Sequence, residues 1–214
     1  MTLRQALGAA ASDLYHQAWR LIILNTLFGA VLIAVVLAAL AVRPAIILAV
    51  LAGPVAAAIM HCVVTLAQTE DLRLTDAVTG LRRLWRRGVA LGAMLFVAVV
   101  LGAFAVPFYA HAGAWAWPLA AASVYLLAFF AVFQLALWPL AVFEAARPFG
   151  DVLRDAFSTV MRRPLGFAGL GLAVLLVNLV GVVAAIIPFL TLTIAYSFLV
   201  SAHFALPKNP AREV

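Results

Sequence analysis

Apolar residues follow two rhythms along this chain. The first is the uninterrupted run: residues 21–42, 45–67, 89–110 and 117–143 contain almost nothing polar and, apart from flanking positions, no charge. About 20 such residues cross a bilayer as a helix. Residues 165–206 add 42 consecutive positions without Asp, Glu, Lys or Arg, far too many for one crossing. Proline ends or kinks a helix, so the Ile187-Pro188 step is the natural place to divide this run, which makes six spans.

The second rhythm is a helical stripe. In 74–88 the apolar positions are Leu74, Ala77, Val78, Leu81, Leu84 and Trp85, with polar or basic residues between them. In 149–164 they are Phe149, Val152, Leu153, Ala156, Phe157, Val160 and Met161, and near the N-terminus Leu3, Ala6, Leu7, Ala10, Leu14, Tyr15, Ala18 and Trp19. Spacings of three and four place each set on one face of a helix, the pattern of helices that lie in the headgroup plane. Each stripe precedes two runs, and the stripes start at Leu3, Leu74 and Phe149. The pattern predicts an all-α integral membrane protein: six transmembrane helices as three helical hairpins, each preceded by an amphipathic interfacial helix. They form a single membrane domain, with repeat-like units 1–70, 71–147 and 148–206 and a short cytoplasmic tail at 207–214. The later helix of each hairpin carries a proline, at Gly53-Pro54, Trp138-Pro139 and Ile187-Pro188. Its plainest role is a packing kink, the other being a binding site at freed carbonyls.

Composition agrees: 67% of the 214 residues are hydrophobic and 10% charged, with mean hydropathy +1.16, against about 25% charged in soluble domains. Asp13, His16 and Arg20 interrupt the N-terminus where a signal peptide needs an apolar core. One cysteine, Cys62, allows no intrachain disulfide. Of the 14 Lys and Arg only Arg43 falls on the side of the loops at 43–44, 111–116 and about 184–188, and all eight acidic residues share the other side. The positive-inside rule then puts both termini in the cytoplasm of a multi-pass protein. Tyr109, Trp115 and Trp117 suit the outer interface and Trp19 and Trp85 the inner one.

"GPVAAAIMHCVVTLAQTEDLRLTDAVTGLRRLWRRG" (53–88), "WRLIILN" (19–25) and "WPLAVFEAARPFGDVLRDAFSTVMRRP" (138–164) resemble the YesL-like family of bacterial membrane proteins. The resemblance implies a compact multi-span bundle in the bacterial cytoplasmic (inner) membrane, commonly encoded near carbohydrate-uptake systems, with no assigned activity.

Three sets of residues are candidates for function. Glu144, Ala145, Ala146 and Gly150 match the spacing of the Glu-Ala-Ala…Gly segment by which importer permeases dock on their ATPase, although Arg162 and Arg163 stand where that pattern wants an apolar residue and proline. Arg82, Arg83, Arg86 and Arg87, with Arg162 and Arg163, form a basic collar suited to anionic headgroups at about 1 kcal/mol each. Nucleic acid is not an expected partner, because Trp85 belongs to the apolar stripe. Within the spans, Asn25, His61, Gln134, Asn178 and His203 are the notable polar groups, and such groups usually bond across helices. His61, Cys62 and His203 have ligand chemistry but no zinc or copper spacing, so no metal or cofactor is expected. The spans hold no acidic pair, and the chain has no Gly-x-Ser-x-Gly, His-Glu-x-x-His or phosphate-binding glycine loop. The expected role is non-enzymatic: an accessory, assembly or regulatory subunit of a membrane complex, with a transport component, permease-like or solute-binding, as the alternative.

Overall fold

A capping box opens the first helix. The Thr2 hydroxyl accepts from the Gln5 backbone N–H while the Gln5 side chain accepts from the Thr2 N–H, which starts α1 at Leu3–His16. Gln17, with φ −116° and ψ 21°, breaks the helical path before α2, Ala18–Ala41. A tighter 3-10 stretch, Arg43–Leu51, leads into α3, Ala52–Thr69. α4 then runs Leu74–His111, a short turn spans Ala114–Ala116, and α5 is Trp117–Phe143. α6 is Phe149–Arg162, α7 is Pro164–Ala184 and α8 is Ile194–Ala205. The computed structural model describes residues 2–69, 71–184 and 193–207, and among them there is no strand.

Five segments are long and apolar enough to cross a membrane: Ala18–Ala41, Ile46–Thr69, Leu74–His111, Ala114–Phe143 and Pro164–Val183. The chain is an all-helical, multi-pass membrane protein in that sense. The described part of α8, 12 residues, is about 18 Å long at 1.5 Å per residue, and the dividing Ile187-Pro188 step lies outside the described residues.

α3 and α5 form the centre. Nearly every residue of α3 from Ala52 to Ala67 is buried, as is α5 from Phe133 to Val142 apart from Leu135. α2, the second half of α4, and α7 surround them and turn rows of Leu, Val, Ile and Phe outward, the surface a hydrocarbon solvent requires. Trp19, Trp115 and Trp117 are exposed near helix ends, and Trp85 is exposed within α4.

The structure corrects one element. The stripe at 74–88 is not a separate interfacial helix but the first half of α4, continuous through Gly88. No proline interrupts 74–106, so nothing stops the helix there; at the corresponding joint after α6, Pro164 begins a new helix. What holds 74–88 is α3. A Cβ added at Gly80 would meet the His61 ring at 2.9 Å, one at Gly88 the Pro54 nitrogen at 2.7 Å, and one at Gly92 the Val50 carbonyl at 2.7 Å. These three contacts define an antiparallel register that places Arg82, Arg83, Arg86 and Arg87 abreast of α3 residues 54–60. Protein rather than lipid therefore walls the second half of α3. Residues 88–111 of α4 alone are about 35 Å long, enough for a hydrocarbon core of about 30 Å.

The glycines of α7 also find partners within the chain. Cβ atoms at Gly166, Gly169 and Gly171 would meet Phe204 at 3.0 Å, Leu3 at 3.3 Å and Val132 at 3.0 Å.

Candidate functional site

The polar chemistry of the molecule concentrates on the face carrying the basic residues, and it is largely organised into clamps. α1 docks on α8 through its buried Ala6 and Ala10. Two polar contacts fix the pair: the Tyr196 hydroxyl donates to the Leu7 carbonyl at 3.3 Å, and His203 Nε2 lies 2.8 Å from Asp13 Oδ2. Only 6% of the His203 side chain and 15% of the Asp13 side chain are exposed. His203 therefore has a carboxylate partner on another helix. In sequence Asp13 gives no hint of this contact, because a single acid on a short amphipathic helix reads as a solvated residue.

Arg87 is a second clamp. Its guanidinium donates to the carbonyls of Ala141 at 2.7 Å, Glu144 at 2.9 Å and Arg147, closing the C-terminal end of α5 where backbone N–H donors run out. This removes Arg87 from the set of free headgroup contacts. Arg82, Arg83 and Arg86 remain exposed. Arg20 does similar work at the other hairpin, donating to Gln17, Asp71 and the Leu72 carbonyl.

The 144–150 segment is an ordered knuckle. Glu144, Ala145 and Ala146 form a turn rather than a helix, and Gly150 occupies the first turn of α6 with open space around it. Arg147 pairs with Glu144 at 2.6 Å and Asp155 at 2.7 Å. The Asp155 hydrogen bond first, and then the charge of Glu144, hold the Arg147 guanidinium above its ordinary pKa. Buried Val152, Ala156 and Val160 seat α6 on the bundle, and the Phe157 ring lies edge-on to Phe129 at 6.2 Å.

Of the polar groups inside the bundle, Asn178 bonds across helices as its chemistry suggested: its Nδ2 donates to Ser197 Oγ at 2.8 Å and to the Val174 carbonyl at 2.7 Å. Asn25 and Gln134 do not. Both are buried, and neither side-chain amide has a hydrogen-bond partner among the described residues. His61 packs against Gly80 and lines a cleft of about 220 Å³ with Thr65, Gln68, Thr69 and Arg83. The His61–His203 pair is not brought together by any contact described, and among the described residues no group of three or more His, Cys, Asp or Glu could hold a metal.

A larger opening lies beside α6. Arg162 and Arg163 border a cleft of about 510 Å³ whose apolar wall includes Leu140, Phe167, Phe204 and Leu206. A second cleft of similar size continues it past Arg163 and Phe204 to Thr2, Leu3 and Gln5 at the start of α1. Sequence reasoning placed these arginines in a collar but not over a cavity, because the cavity needs four helix ends to converge.

No family model, no curated protein and no solved structure matches the chain.

Proposed function

We propose that this chain is a six-span protein of a bacterial cytoplasmic membrane, with both termini and the basic face in the cytoplasm, acting as a non-enzymatic accessory, assembly or regulatory subunit of a membrane complex. The observation that carries this reading is the clamped basic face. α1 and α6 are fixed to the bundle by Asp13–His203, Tyr196–Leu7, Arg147–Asp155 and Phe157–Phe129, while their outer sides display Arg4, Ser12, Asp151 and Arg154. A rigid polar relief on an otherwise apolar protein suits seating a partner, because its side chains and helices are ordered before binding. The YesL-like resemblance of 19–25, 53–88 and 138–164 belongs to the same reading and rests on those residues.

A transport component is the second reading, supported by the unpartnered amides of Asn25 and Gln134. Unpaired polar groups in a bundle core are expensive and commonly mark a site or pathway. None of the three clefts described includes either residue. For docking on an ATPase, Gly150 is open while Glu144 is tied to Arg147.

Native mass spectrometry of the protein extracted gently from its own membrane tests the proposal. A stoichiometric membrane partner, lost when Asp151 and Arg154 are reversed in charge, is the expected result. A partnerless chain in every gentle preparation overturns it.

A further inference from the structure

We infer that the trough framed by Arg162 and Arg163 is a binding site for the phosphate of one anionic phospholipid. Four helix ends meet there: the start of α1, the end of α6, the start of α7 and the end of α8. The two clefts adjoin, with Arg163 and Phe204 lining both.

Its chemistry is divided like that of the ligand. On the polar side neither Arg162 nor Arg163 has a side-chain acceptor among the described residues, whereas Arg20, Arg87 and Arg147 are all consumed by carbonyls or carboxylates. Both side chains border the same cleft, so their guanidiniums can supply several donors to phosphate oxygens. The start of α1 adds the partial positive charge of a helix N-terminus beside Leu3, although the capping box already takes the Thr2 and Gln5 N–H groups. On the apolar side, Phe167 and Phe204 stack edge-on at 5.0 Å beneath the arginines, with Leu140 and Leu206 beside them.

Depth selects the source of the phosphate. Arg163 is followed at once by Pro164 and the exposed Leu165, where the apolar span Pro164–Val183 begins. The guanidiniums therefore stand at the level where hydrocarbon gives way to headgroups, and the apolar wall continues toward the acyl chains. A soluble phosphate would use the arginines alone.

The inference rests on the membrane reading and not on the accessory role, so a partnerless protein would still retain the lipid. The test is native mass spectrometry of the full chain titrated with phosphatidylglycerol, with phosphatidylcholine and inorganic phosphate as separate arms. The R162Q/R163Q variant is compared with R82Q/R86Q, which removes the same charge from another exposed part of the collar. One retained phosphatidylglycerol per chain is expected. Its retention falls about tenfold or more in R162Q/R163Q, and stays within about twofold in R82Q/R86Q. Equal losses in the two variants, equal retention of phosphatidylcholine, or displacement by inorganic phosphate at millimolar concentration each overturn the inference. So does the absence of any retained lipid.

Discussion

Replacing Gly88 by alanine tests the α3–α4 register directly. The new Cβ would lie 2.7 Å from the Pro54 nitrogen and 3.0 Å from the Gly53 carbonyl. The nearest atom met is the Pro54 Cα, and comfortable contact begins near 3.5 Å, so the helices must part by about 1 Å, a gap that forfeits about half of each neighbouring contact. The atoms met are backbone and cannot rotate away. Overpacking costs about 1–3 kcal/mol, and an immovable neighbour places this site at the upper end. Alanine recovers about 0.5–1 kcal/mol of helix propensity, leaving a net loss of about 2 kcal/mol. In a chain of this length that lowers the melting temperature by about 4–8 °C. Thermal unfolding in one fixed detergent measures it. Gly8→Ala is the control, since nothing lies within 4 Å of that Cβ and the residue is exposed in mid-α1. It should gain about 0.5–1 kcal/mol. Gly53→Ala, which would bring its Cβ to 2.9 Å from the Gly92 Cα, should resemble Gly88→Ala and combine with it less than additively, because both part the same helices. If Gly88→Ala and Gly53→Ala melt no lower than Gly8→Ala, the register is wrong.

Three further outcomes follow from the clamps and the buried amides. Arg87→Gln should destabilise by about 1.5–3 kcal/mol, the range for hydrogen bonds to a charged donor, and speed amide exchange over 141–147; Arg87→Lys should not restore it, because an ammonium lacks the planar fork. Asn25→Leu and Gln134→Leu should be neutral or stabilising by about 1 kcal/mol, since each removes an unpaired amide; a clear loss of stability in the same melts would mean the amides have acceptors. Asp13→Ala should release α1, raising amide exchange over 3–16 while leaving α5 and α6 unchanged.

The sequence shows its crossings readily because a bilayer imposes a length and a polarity on each one. The runs 21–42 and 117–143 coincide with α2 and α5 to within a few residues, whereas 45–67 begins in the 3-10 stretch before α3 and 89–110 is the later part of the longer α4. The stripe at 149–164 forms a helix of its own, and the N-terminal stripe does so as far as His16, its last members Ala18 and Trp19 opening α2. The stripe at 74–88 misled because amphipathic periodicity says that one face is apolar, not whether that face meets lipid or another helix. Gly80, Gly88 and Gly92 were the missing signal: spaced at eight and four, they offer one smooth face that only another helix can use. The clamps were illegible for a different reason. Arg87 looks like its neighbours Arg82, Arg83 and Arg86 in sequence, and only the position of α5's last carbonyls separates it from them. Asn178 and Asn25 are equally alike, yet one meets Ser197 and the other meets no partner among the described residues.

The central proposal is a membrane bundle whose basic face, including the turn between α3 and α4, stands on the cytoplasmic side. Cysteine accessibility measures this most directly. With Cys62 replaced by alanine, single cysteines at Arg86, Asp151 and Ala112 are exposed to a membrane-impermeant maleimide in intact cells and after permeabilisation. The account predicts that position 112 labels in intact cells, whereas 86 and 151 label only once the membrane is opened. Labelling of 86 or 151 in intact cells, or protection of 112, contradicts it.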